Sequence, residues 1–179
     1  MPARLVGATP IVPNMPAINS SKVVWAGDVD SGRAEVGQNV VVVGAGLTGV
    51  ETAVNLASQG KKVTVIEMMG PEVVLATAPS AHKFYLLDRI KEFGIRIIPN
   101  ARMEGITENS INVINKDFQW REYEADSIVL AMGMRPRKEK VTELRHLIPE
   151  TDVFIVGDCL KPGSLFTANH DGFNAACEI

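Results

Sequence analysis

Apolar and polar positions change period along the chain, and each change marks the border of a predicted element. Val40 to Val43 is an unbroken β-branched run, the pattern of a strand buried on both faces of a parallel sheet. Beyond Gly44-Ala45-Gly46 the period becomes helical. Leu47, Val50, Val54 and Ala57 share one face of a helix predicted from Leu47 to Gln59, and Gly60 stands where it would end. A second strand, Lys62 to Glu67, follows at once, so strand, glycine-rich turn, helix and strand form the core of a βαβ unit.

Pro79 and Ser80 open a second amphipathic helix with Leu86, Leu87, Ile90 and Phe93 on its apolar face and Gly94 as its stop. Ile95 to Ile98 is the next predicted parallel strand. Three alternating segments then follow, around Met103 to Thr107, Ile111 to Ile114 and Phe118 to Tyr123, an antiparallel meander by pattern. Ser127 to Met132 is again a buried type of strand, ended by Gly133. The charged stretch Arg137 to Lys140 reads as a connector, and Val141 to Leu147 as a short helix. Val153 to Val156 is expected to be a final strand, Gly157-Asp158 a turn, and Ser164 to Ile179 a helix.

The first residues are different. Pro2, Pro10, Pro13 and Pro16 interrupt any periodicity, so residues 1–20 should run as an extended or looping arm. Val23 to Trp25 is a short extended stretch. Gly27, Asp28, Asp30, Ser31 and Gly32 then supply turn chemistry in a linker ending near Gly37.

Composition narrows the function classes. A net charge of −3 offers no broad positive field, which argues against nucleic acid as a partner. No apolar run reaches the roughly 20 residues needed to cross a bilayer, and the N-terminus lacks a basic region followed by an apolar stretch, so no membrane partner is expected and the reading is a soluble, cytoplasmic protein. Cys159 and Cys177 lie far apart without metal-ligand spacing and read as free thiols. His82, His146 and His170 are scattered, and no metal is expected.

The chemistry lies in Gly44-x-Gly46-x-x-Gly49. In a glycine-rich turn between a strand and a helix, the first glycine permits the turn, the second lets backbone approach a pyrophosphate, and the third lets the helix pack on the sheet. The helix N-terminus then directs unpaired N–H groups at phosphate oxygens. Leu47 and Thr48 would contribute backbone N–H groups, so neither side chain needs charge. Glu67 ends the second strand, roughly 20 residues on, where a carboxylate can accept the hydroxyls of an adenosine ribose and repel a 2′-phosphate. Met68, Met69 and Gly70 bring no cation for such a phosphate, and Lys61 and Lys62 stand at the other end of the strand. NADH is therefore the expected ligand, rather than NADPH.

Several segments resemble the NADH:flavin oxidoreductase/NADH oxidase family, relatives of 2,4-dienoyl-CoA reductase and trimethylamine dehydrogenase. VVVVGAGLTGVETA, from Val40 to Ala53, is similar to its nicotinamide-nucleotide fingerprint. SIVLAMGMRP, from Ser127 to Pro136, resembles the segment that closes that domain beside the nicotinamide, with Met132 and Met134 flanking Gly133. TDVFIVGD, from Thr151 to Asp158, resembles a flavin-domain motif whose aspartate holds the ribityl chain of FAD, and Gly7-Ala8-Thr9-Pro10 the end of another.

The resemblance implies an α/β fold, a Rossmann-like FAD/NAD(P)-binding three-layer ββα domain with a parallel sheet and an antiparallel meander. It implies an NAD-binding domain at 38–136, inserted between flavin-domain pieces at 1–37 and 137–179. It also implies that Glu51 lies near the nicotinamide amide and that hydride passes from NADH to FAD. FMN and an iron–sulfur centre belong to the family, but this sequence has no N-terminal barrel for FMN, no cysteine cluster for an iron–sulfur centre and no earlier glycine-rich motif for the FAD pyrophosphate.

The expectation is thus an NADH-binding domain of a flavin-dependent oxidoreductase, inactive by itself, with the parent's flavin domain as its partner. Apolar surface that a complete flavin domain would cover could instead pair between chains as a homo-oligomer. No catalytic acid, base or nucleophile constellation is present. Two other classes stay open: a non-catalytic dinucleotide-sensing or interaction module, and a methyltransferase, which also uses a glycine-rich first turn.

Overall fold

The computed structural model describes residues 6–147 and 153–178. Two compact units emerge, Val12–Gly133 and Met1–Ile11 with Met134–Ile179.

In the larger unit, a five-stranded parallel sheet is built from β2 (Val23–Trp25), β3 (Asn39–Val43), β4 (Lys62–Ile66), β5 (Arg96–Ile98) and β9 (Ser127–Leu130). Their spatial order is β2-β9-β3-β4-β5. Successive side chains of a strand point to opposite faces, and β3 is apolar and buried from Val40 to Val43 because both faces are covered there. Val40 and Val42 join the cluster under helix α2 (Leu47–Ser58) and helix α3 (Ser80–Glu92). Val41 and Val43 join the opposite cluster, closed by Ile111 and Val113 of the meander β6 (Ala101–Ile106), β7 (Ser110–Asn115) and β8 (Trp120–Glu124). Helices, parallel sheet and meander are the three expected layers.

Helix α2 ends as the pattern requires, with Gly60 at φ +84°, and α3 with Gly94 at φ +63°. Between β4 and α3 the chain makes a short 3₁₀ turn at Pro71–Val73 and then carries Leu75, fully buried, at φ +54°. The periodicity gives no sign of either feature.

Residues 12–37 correct the sequence reading. The region of turn chemistry begins with a short helix, α1 (Ala26–Asp30), whose Ala26 is buried in the core. Thr52, fully buried on α2, donates its hydroxyl to the Asp30 carboxylate at 2.7 Å. Strand β2 pairs in parallel with β9, Val23 facing Ile128 and Trp25 facing Leu130. The expected piece 1–37 therefore does not separate from the sheet at Gly37. Its latter part completes the larger unit, because a strand flanking β9 packs Val23 and Val24, partly buried, against the two core clusters.

The smaller unit contains β1 (Ala8–Pro10) paired antiparallel with β10 (Met134–Pro136), helix α4 (Lys138–Arg145) and helix α5 (Leu165–Cys177). The charged connector at 138–140 is the first turn of α4, where Glu139 suits the positive end of the helix dipole. Ser164 caps α5 in a capping box with Thr167. The strand expected at 153–156 is absent: Val156 is extended, at φ −136° and ψ 158°, but the described residues supply no strand to pair with it. Several large apolar side chains are exposed here, including Leu147, Leu165, Phe166 and Phe173.

Candidate functional site

The glycine turn, Glu67 with Met68, and Gly133 follow the C-terminal ends of β3, β4 and β9 in the larger unit's sheet. Gly44 leaves β3 at φ +109°, a backbone region that side chains disfavour. A Cβ there would run into the carbonyl oxygen of Ala131, which follows β9. The turn after β3 and the segment leading to Gly133 are thus in contact. This is where strand order reverses around β3, with β4 on one side and β9 on the other, and such a crevice is the usual ligand position in open α/β sheets.

Gly49 is buried on α2, and a Cβ on it would overlap the Gly44 carbonyl oxygen and press on the Ala131 methyl at 3.1 Å. Packing of helix on strand accounts for these two glycines. Gly46 is different. It is exposed, its φ of −68° is open to any residue, and nothing lies within 4 Å of where its Cβ would be. No internal contact asks for a glycine there, so the missing side chain leaves room outside the protein surface.

Gly46 is also the N-cap of α2, with no side-chain cap. Among the described residues, no hydrogen bond is made by the N–H groups of Gly46, Leu47 or Thr48. The first N–H groups of a helix lack intrahelical partners, and here they face open space with the positive end of the helix dipole behind them. The arrangement suits an anion held by backbone groups.

Glu67 follows β4 and is half-buried. Its Oε2 accepts the N–H of Ala45 at 2.8 Å and its Oε1 that of Met69 at 2.8 Å. Each oxygen keeps a lone pair for a further donor. Met68 and Met69 beside it are exposed. Lys61, at the far end of the strand, gives its ammonium to the carbonyls of Val36 at 2.8 Å and Gly37 at 3.0 Å. A five-residue strand separates it from the glycine turn by about 16 Å at 3.3 Å per residue, so it holds no phosphate at this edge.

Glu51 lies one turn into α2, and its carboxylate meets His82 of α3. Asp158 belongs to the smaller unit. It is exposed within a 3₁₀ turn, Gly157–Cys159, and accepts the N–H of Gly163 at 3.1 Å, closing the turn before α5. Cys159 is half-buried, its thiol directed to the Val156 carbonyl, and Cys177 is exposed; both are free. No group of three or more metal-ligating side chains occurs among the described residues, and no helix there is long and apolar enough to cross a membrane.

Pattern reading passed over two residues of this site. Ala45 stands between glycines and has no chemistry of its own. Leu75 reads only as one apolar position in a loop, yet its N–H donates to the Ala45 carbonyl at 3.1 Å.

The chain is 30% identical over 202 aligned positions to a metal reductase of Desulforamulus reducens, a match covering 95% of this chain and 29% of that protein. It is 28% identical over 179 positions to an NADH oxidase of Thermoanaerobacter brockii, covering 97% and 27%. The solved 2-naphthoyl-CoA reductase in complex with 2-naphthoyl-CoA superposes with a TM-score of 0.85 at 24% identity, over 97% of this chain and 26% of that one, a likeness of fold. The chain therefore spans less than a third of the length of these relatives. Residues 6–172 match the family described as pyridine nucleotide-disulphide oxidoreductase, whose members bind NAD(P)H and FAD, and the chain belongs to that family.

Proposed function

We propose that the larger unit binds NADH and holds it as the reductant of an NADH:flavin oxidoreductase whose flavin is bound mainly by parts of the protein beyond this chain. Gly46 carries this reading. Folding gives no reason for a glycine at that position, whereas a pyrophosphate seated on the N-terminus of α2 would need the space.

When bound, the dinucleotide would supply a hydride for the flavin. The residues present supply position and charge. The N–H groups of Gly46, Leu47, Thr48 and Gly49 would hold the pyrophosphate, and Glu67 would accept the adenosine ribose hydroxyls, with Met68 beside them. Gly133 and Glu51 would stand toward the nicotinamide end. Asp158 would belong to the flavin site of the complete protein.

Selection of NADH rests on Glu67. Two like charges at 4 Å repel by about 1 kcal/mol in water and about 4 kcal/mol near a protein surface, enough to set the two nucleotides about fivefold apart at the lower figure and further apart at the higher one. Calorimetric titration with NADH and NADPH tests the proposal. NADH should bind at least about fivefold tighter. Equal affinities would remove the Glu67 assignment, and binding of neither nucleotide would remove the whole reading.

A further inference from the structure

Ala45 is held from both sides by the connector that follows β4. Its N–H donates to Glu67 Oε2 at 2.8 Å, and its carbonyl accepts the N–H of Leu75 at 3.1 Å. The other carboxylate oxygen of Glu67 accepts the Met69 N–H, so the side chain bridges the backbone of the glycine turn and that of the segment after β4. Leu75 makes its bond from φ +54°, which a leucine adopts only when its surroundings hold it there, and its side chain is wholly buried beneath the turn. Ala45 itself is fully buried.

Resting on the dinucleotide reading above, we infer that Glu67 is also a positioning residue for the phosphate-binding turn: through Ala45 it sets the backbone of Gly44 to Gly46 before any ligand arrives. Ribose recognition and phosphate binding are then coupled through one carboxylate. The coupling has a direction that charge alone would not produce. Removing a negative charge near a pyrophosphate should by itself tighten binding of the anion, whereas removing the brace should weaken it.

The test compares ADP with ADP carrying a 2′,3′-dideoxyribose, titrated calorimetrically into wild-type protein, Glu67→Ala and Glu67→Gln. The dideoxy ligand has no ribose hydroxyl for Glu67 to accept. With the brace, Glu67→Ala weakens the dideoxy ligand by about fivefold, the scale of a lost hydrogen bond, and Glu67→Gln, which keeps one acceptor oxygen, recovers part of the loss. Unchanged or tighter binding of the dideoxy ligand by Glu67→Ala overturns the inference. Hydrogen exchange without ligand gives a second measure: in Glu67→Ala the amides of Ala45 and Gly46 exchange faster while those of β3 keep wild-type protection. Equal exchange at Ala45 overturns the brace. Failure of wild-type protein to bind ADP would instead defeat the dinucleotide reading, and the exchange experiment would still decide whether Glu67 holds the turn.

Discussion

Glu51 Oε1 and His82 Nε2 lie 3.3 Å apart and join helix α2 to helix α3. They stand on a groove of about 350 Å³ whose walls include Asn55, Tyr85, Arg89 and Phe93. Both side chains are about two-fifths exposed, so the pair contributes at most about 1 kcal/mol to stability. Glu51→Gln should leave the thermal transition almost unchanged. If Glu51 also serves the nicotinamide end of the ligand, this substitution weakens NADH by about tenfold and leaves ADP unaffected, a difference that parallel titrations would reveal.

Two glycines of one motif should respond in opposite ways. Gly46→Val puts its Cβ where no atom lies within 4 Å, so the protein should keep its fold at a cost of about 1 kcal/mol for a poor N-cap and lose dinucleotide binding. Gly49→Ala pushes a methyl into the Gly44 carbonyl and should destabilise the fold by about 1–3 kcal/mol or more. Urea unfolding of each variant, followed by NADH titration of the folded one, checks both outcomes. Wild-type affinity in Gly46→Val would contradict the proposed phosphate position.

Lys22 ties the entry to β2 to the turns of the meander. Its ammonium donates to the carbonyls of Ala125 at 2.8 Å and of Thr107 and Glu108 at 3.1 Å each. Lys22→Met should cost about 1–3 kcal/mol, because acceptors lose their donor. Burial lowers the pKa of this lysine below 10.5, with Asp126 and Glu108 pulling it partly back. The unfolded chain then holds more protons than the folded one as pH approaches 10.5, so this group's contribution to unfolding free energy rises with pH. Denaturation of wild type and Lys22→Met across the alkaline range should diverge with that sign.

On α5, Phe166 and Phe173 are seven residues apart, share a helical face and are both largely exposed. Exposed apolar patches of this kind mark contact surfaces. Replacing both with serine should lower the fluorescence of an apolar dye bound to the protein, while the affinity for NADH stays at the wild-type value.

Much of this architecture is legible in the chain itself. The unbroken valine run of β3, the helical spacing of α2 and the glycines at 44, 46 and 49 are local patterns, and local patterns encode elements, their order and the three-layer class. What required the tertiary structure depends on partners distant in sequence. Val23 to Trp25 becomes part of the central sheet only because β9, about 100 residues later, offers an edge to pair with. Residues 153–156 have strand composition but lack such an edge among the described residues, since composition cannot supply a neighbour. The same holds at the site. The sequence placed Glu67 at the end of β4, where an adenosine ribose would lie. Only the folded chain turns its carboxylate back onto Ala45 and brings Leu75 beneath the turn, because these contacts come from the path of a loop, which hydrophobic periodicity does not record.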